Sequence, residues 1–109
     1  MDIDQETTQK IQNLQLLEQN FQNILMQKQS FQLELNEVET ALSEVEKTKE
    51  EVFRVVGQIM LKSDKSSLKK ELGDKKEFLS VRMKAIERQE ASLRTEVERL
   101  RGEIVSKIQ

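Results

Sequence analysis

Apolar residues recur at alternating steps of three and four residues through two long stretches of the chain. The first repeat runs from Leu14 to Val45 and the second from Leu72 to Ile104. This is heptad spacing, in which positions a and d of each seven-residue repeat face a partner helix. No proline interrupts either stretch. The spacing therefore predicts two long helices that form a coiled coil.

A short connection between the helices would make them antiparallel neighbours, and two registers satisfy the apolar pattern. In the first, Phe21 faces Leu93; in the second, it faces Leu100. We prefer the first register because its midpoint falls at Gly57, inside the connection. Asp2 or Asp4 is a candidate N-cap of the first helix, and Asp64 or Ser66 of the second.

Three polar residues interrupt the predicted seam, namely Lys28 in the first helix and Lys76 and Glu90 in the second. In the preferred register Lys28 and Glu90 occupy neighbouring layers, where an ion pair between them would help to fix the register. Alternatively, the Lys28 stem lies along the seam while its ammonium group remains in water. The sequence leaves both arrangements open.

Between the two helices the apolar period changes to two, in the segment VFRVVGQIMLK at 52–62. Gly57-Gln58 is a candidate two-residue turn, because glycine in the first position suits the positive φ of a type II′ turn. This turn pairs Val56 with Ile59 and Val55 with Met60. Both faces of the resulting β-hairpin would be apolar, although an isolated two-stranded ribbon is only marginally stable in water. We therefore expect other chains to cover it.

Composition narrows the classes of function. The 18 basic and 20 acidic residues are interleaved and give a net charge of −2, which argues against a nucleic-acid partner. The absence of histidine and cysteine removes the commonest metal ligands and general bases, so we expect no enzyme activity, metal or cofactor. No apolar run is long enough to span a bilayer, and residues 1–10 lack the pattern of a signal peptide. We expect no membrane partner.

These features predict a mainly α fold over a single unit, 1–109. Two long helices, at about 5–49 and 65–108, form an antiparallel coiled-coil hairpin joined by the β-hairpin at 52–62. Hairpins from several copies would close into an intersubunit β-barrel, which removes exposed strand edges. The predicted oligomerisation residues are Val52, Phe53, Val55, Val56, Gly57, Ile59, Met60 and Leu61.

The chain resembles the prefoldin family, and within it the β type, which has one hairpin between its helices. Three segments carry the resemblance: NILMQKQSFQLELNEVETALSEV at 23–45, VFRVVGQIMLK at 52–62 and VRMKAIERQEASLRTEVERL at 81–100. The resemblance implies a cytoplasmic hexamer of two α-type and four β-type subunits. Such hexamers hold unfolded client proteins without ATP and deliver them to a group II chaperonin.

Apolar residues near the two ends of the chain are candidates for client binding, because many weak contacts on several arms add up through multivalency. The candidates are Ile11, Leu14, Leu16, Leu17, Ile104, Val105 and Ile108. The alternative is a structural or tethering coiled coil without chaperone activity, which would explain the heptads but not the two-faced hairpin.

Overall fold

The computed structural model describes residues 4–108. Helix α1 spans Gln5–Lys47, strand β1 Val52–Val56, strand β2 Ile59–Ser63 and helix α2 Lys65–Ile108. The two strands pair antiparallel in a two-stranded sheet. The predicted arrangement of two long helices joined by a β-hairpin is confirmed. No helix in the described range is both long and apolar enough to cross a membrane.

Each helix begins at an aspartate that caps it. The Thr7 backbone N–H donates to Asp4 Oδ1 at 2.7 Å, and the Ser67 backbone N–H donates to Asp64 Oδ2 at 3.2 Å. These bonds satisfy amide groups that have no partner within the first helical turn. Side-chain hydrogen bonds from Thr7 to Asp4 and from Ser66 and Ser67 to Asp64, together with these backbone bonds, favour the ionised carboxyl, so the pKa of Asp4 and that of Asp64 lie below the usual aspartate value. The other candidate cap of α1, Asp2, lies outside the described residues.

The β-hairpin has the predicted register. Val56 pairs with Ile59, Val55 with Met60 and Val52 with Ser63. Gly57 has a φ of 62°, and no other residue in 4–108 has a positive φ, so Gln58 is on the negative side. In a type II′ turn φ is positive at the first central residue and negative at the second, whereas in a type I′ turn it is positive at both. The turn is therefore type II′. Glycine is therefore required at position 57 by the turn.

The structure divides into two compact units. The terminal unit contains the described residues up to Gln29 together with those from Lys84 onward, and the hairpin unit spans Ser30–Met83. In the terminal unit the buried side chains come from predicted seam positions of α2 and from one threonine of α1. They are Thr7, Ile86, Val97, Leu100 and Ile104. Thr7 extends the α1 heptads one repeat toward the N-terminus of the helix.

A cation–π contact in the terminal unit reports the helix register. The Arg94 guanidinium lies 5.5 Å from the centroid of the Phe21 ring. Arg94 is adjacent to Leu93, the residue that faces Phe21 in the preferred register, whereas Leu100 lies almost two turns further along α2. The contact fits the preferred register.

The hairpin unit has its own core, in which Val38, Leu79 and Met83 are buried. The Arg82 guanidinium lies 5.8 Å from the centroid of the Phe31 ring, again next to the residue that the preferred register predicts, Met83. The seam position held by Lys76 is exposed. The polar interruption at Lys76 is thus resolved by directing its side chain to water.

Lys65 connects the start of α2 to the end of α1 within the hairpin unit. Its ammonium group donates to the carbonyl oxygen of Thr48 at 2.9 Å and to that of Glu46 at 3.3 Å. The last carbonyl groups of a helix have no partner within the helix, and a lysine near them satisfies this need. These hydrogen bonds therefore join the start of α2 to the end of α1 at the base of the β-hairpin.

Candidate assembly and client surfaces

The β-hairpin presents two faces, because side chains alternate along each strand and residues paired across the strands share a face. The first face carries Val52, Arg54, Val56, Ile59, Leu61 and Ser63. The second face carries Phe53, Val55, Met60 and Lys62. Six of the apolar side chains on the two faces are between 47% and 66% exposed, with Val52 half-buried at the base. Both faces are open in the single chain.

Two ion pairs link the hairpin to its flanking segments. Arg54 forms an ion pair with Glu71 of α2, and Lys62 Nζ lies 3.0 Å from Glu51 Oε1. Both pairs are well exposed, and exposed ion pairs contribute little stability. They orient the ribbon without covering its apolar side chains.

The hairpin also has two open edges. In the described part of the chain the sheet contains β1 and β2 alone. Each strand therefore has one side whose N–H and C=O groups lack a strand partner. Such edges readily pair with another chain unless they are covered. In the single chain the hairpin thus leaves its apolar faces uncovered and the backbone groups along its two edges without a strand partner.

The predicted client-binding residues differ in exposure. Leu16 is 59% exposed and Val105 is 47% exposed, whereas Ile104 is 7% exposed. The remaining four are half-buried: Ile11, Leu14, Leu17 and Ile108. The terminal unit therefore offers Leu16 and Val105 directly to a partner, while Ile104 belongs to its core.

A polar layer crosses the seam in the terminal unit. Lys28 Nζ lies 3.1 Å from Glu90 Oε1 and 3.4 Å from Glu90 Oε2. The Glu90 side chain is 14% exposed, so its charge is largely withdrawn from water. Of the two arrangements that the sequence left open, the structure has the ion pair. Near the helix ends a second cross-helix pair joins Lys10 to Glu103 at 3.4 Å.

Sequence reasoning missed a difference between the two sides of this seam. On one side a groove is lined by uncharged polar residues around two seam residues, Ile24 and Leu93. We call it the amide groove, and its polar lining consists of Asn20, Asn23, Gln27, Gln89 and Ser92. Heptad positions predict this side, because Asn20, Gln27 and Gln89 all occupy position g.

On the opposite side a second groove is lined by charged residues around Phe21 and Val97. We call it the charged groove, and its polar lining consists of Glu18, Gln22, Arg94, Glu98 and Arg101. Here Arg101 Nη2 lies 3.4 Å from Glu18 Oε2. Coiled coils commonly carry charges at both e and g, so the uncharged stretch of g positions at Asn20, Gln27 and Gln89 is the unusual one.

Among residues 4–108 no group of three or more His, Cys, Asp or Glu side chains is arranged to hold a metal ion. The candidate surfaces of this chain are thus an apolar ribbon, an apolar pair near the helix ends and two grooves of different charge.

A family model described as prefoldin subunit matches residues 8–109. This chain belongs to the prefoldin family. Among its relatives, the prefoldin subunit beta of Saccharolobus islandicus is 32% identical over 101 residues, covering 91% of this chain and 80% of the relative. That of Sulfurisphaera tokodaii is 33% identical over 93 residues, covering 84% of this chain and 74% of the relative.

The fold agrees with a solved prefoldin structure. The crystal structure of the prefoldin beta subunit from Thermococcus strain KS-1 superposes with a TM-score of 0.89 at 34% sequence identity, covering 96% of this chain and 94% of that one. The resemblance to β-type prefoldins inferred from the three sequence segments is confirmed. Prefoldins are a family of chaperone subunits.

Proposed function

We propose that this chain, 1–109, is one β-type unit of a hexameric prefoldin that binds unfolded proteins without ATP. The observation that carries the proposal is the hairpin, whose apolar faces and strand edges are both open in the single chain. Such an open ribbon favours association with partner subunits that cover it. We assign it no catalytic step and no cofactor.

The assembly that suits the ribbon is a closed barrel built from hairpins of several subunits. Closure gives every strand two neighbours and buries one face of each ribbon in the barrel interior. We propose a hexamer with two α-type and four β-type subunits, in which the barrel interior covers one face of each ribbon and neighbouring subunits cover the other, so that Val55 and Ile59 from opposite faces are both buried. The archaeal β-subunit relatives support an archaeal cytoplasmic location.

Client proteins would bind the terminal unit through its exposed apolar side chains. Leu16 and Val105 expose apolar surface in the terminal unit. Each contact is weak, but several arms that hold one unfolded chain raise the overall affinity through effective concentration. The hexamer would then pass the held chain to a group II chaperonin.

The experiment is aggregation of a chemically unfolded client diluted into the complex of this chain with an α-type subunit. We expect the wild-type complex to suppress light scattering without ATP. The variant Leu16→Gln with Val105→Gln should assemble to the wild-type mass and protect less well, because every β-type arm loses exposed apolar area at once.

The matched control is Leu33→Gln with Phe78→Gln, since both residues are exposed apolar positions of the hairpin unit. We expect its protection to equal that of the wild type. If the control loses protection and the terminal variant does not, the client surface lies in the hairpin unit. An assembled wild-type complex that protects no client would instead identify a structural or tethering coiled coil.

A further inference from the structure

We propose that the amide groove of the terminal unit binds the main chain of an extended, unfolded polypeptide. This inference rests on the proposed function and assigns it a second contact surface, distinct from the exposed pair Leu16 and Val105. The groove lies between the helices, with Ile24 and Leu93 at its base and carboxamide side chains along its rim.

The chemistry of the rim matches a peptide group. Each carboxamide of Asn20, Asn23, Gln27 or Gln89 carries both N–H donors and a carbonyl acceptor. A peptide unit likewise presents one donor and one acceptor, which an extended unfolded chain leaves without protein partners. The recognition would depend on the backbone, which all polypeptides share, and so suits a partner without a fixed sequence.

The charge of the groove favours such a partner over one of defined charge. No charged residue belongs to its lining. The partly buried Glu90, which follows the groove residue Gln89, is paired with Lys28 at 3.1 Å. A client segment of either sign can therefore lie in the groove without a buried like charge opposing it. The charged groove on the opposite side would discriminate between such segments.

The rim carboxamides are also available. Elsewhere on α1, Gln9 donates to Asn13 at 3.2 Å and Gln32 donates to Asn36 at 3.0 Å, so those side chains satisfy one another along the helix. Among the hydrogen bonds of residues 4–108, none involves the side chains of Asn20, Asn23 or Gln27. They remain free to bond to a ligand.

The spacing of the rim suits an extended chain. Asn20 and Gln27 are separated by two helical turns, a distance of about 10 Å along α1. An extended peptide covers that distance in about three residues. Three residues offer peptide groups to both ends of the groove while one apolar side chain reaches Ile24 or Leu93.

The test removes carboxamides without changing charge. In the assembled α-type and β-type complex, Gln27→Ala with Gln89→Ala is compared with Gln12→Ala with Gln19→Ala, which deletes the same atoms from exposed positions outside both grooves. Two unfolded clients of opposite net charge serve as probes. We expect the groove variant to need about three- to ten-fold more complex for half-maximal protection of both clients, as two lost hydrogen bonds would produce.

Each outcome decides between the assignments. Equal protection by the groove variant and its control overturns the amide groove and leaves the proposed function intact. A wild-type complex that protects neither client overturns the proposed function, and this inference with it. A lower assembled mass of the groove variant identifies the groove as a contact between subunits, which also overturns the inference.

A second measurement reads binding directly. The chain has no cysteine, so Asn23→Cys and Gln19→Cys each give a single labelling site for an environment-sensitive dye in the assembled complex. Addition of an unfolded client should change the emission at position 23 and leave that at position 19 unchanged. The same change at both positions would contradict binding in the groove.

Discussion

The paired helices and the β-hairpin carry similar apolar side chains, but the helices bury them and the hairpin leaves them exposed. In the hairpin unit the helical residue Leu79 is 2% exposed. In the hairpin itself Met60 is 66% exposed. The helices find their partner within the same chain, because the short connection brings two heptad seams together. The hairpin has no such partner and leaves its apolar surface open.

This difference separates folding from assembly in one short chain. The heptad seams supply enough internal burial for the helices to stabilise one another. A two-stranded ribbon gains little from its own hydrogen bonds and depends on what covers it. Substitutions in the helical seam should therefore change stability, whereas substitutions in the hairpin should change the oligomeric state.

The largest expected effect comes from charging both hairpin faces with Val55→Asp and Ile59→Asp. Each carboxylate would be buried without a partner in an assembled barrel, which is strongly unfavourable. We expect the helices to form, as measured by circular dichroism, and the chain to be absent from the hexamer, as measured by native mass. The control Gln58→Asp adds a charge in the turn and should assemble. A doubly charged hairpin that enters a complex of wild-type mass would show that the faces are not the interface.

The next effect separates two adjacent residues of α2. Leu79→Ala removes a buried side chain and should lower the free energy of unfolding by about 2–5 kcal/mol. Phe78→Ala removes a larger side chain that is 62% exposed, and surface substitutions of this kind usually change stability by about 0.5 kcal/mol or less. Urea unfolding followed by helical circular dichroism measures both. A loss for Phe78→Ala as large as that for Leu79→Ala would contradict the exposed position of Phe78.

The smallest effect concerns the polar layer of the terminal unit. Lys28→Met leaves the Glu90 carboxylate without its partner and should destabilise the unit by about 1–2 kcal/mol, reduced by the partial exposure of Lys28. Lys28→Met with Glu90→Leu replaces the pair by apolar residues and should recover that loss. The urea midpoints of the two variants, compared with that of the wild type, measure the loss and its recovery. If the double variant is the less stable of the two, the unpaired Glu90 carboxylate is not the cause of the loss in Lys28→Met.

The sequence predicted the elements that depend on local period and turn chemistry. Heptad spacing specified both helices, and the glycine at 57 specified the turn and thereby the strand register from Val56–Ile59 to Phe53–Lys62, whereas the structure adds the pair Val52–Ser63. The interaction of Lys28 with Glu90 was left open, since a lysine stem can also lie along a seam. It is the folded position of Glu90, withdrawn from water, that favours a charged partner.

Other features depend on how the two helices are rotated and shifted against each other, which apolar spacing alone does not determine. Both helix registers satisfied the pattern, and the cation–π contact at Phe21 distinguishes them. Ile104 and Val105 are consecutive, yet one is buried and the other exposed. The amide groove was also missed, although its signal was present in the carboxamides at heptad position g.

The open edges of the hairpin have a kinetic consequence. Helix pairing within one chain is a first-order process, so its rate does not depend on concentration. Covering the ribbon is at least second order, because both edges must meet strands from other molecules. The strand edges of newly made chains therefore stay exposed for a time that grows as the partner concentration falls. During this time aggregation competes with assembly. A balanced supply of partner subunits shortens that interval.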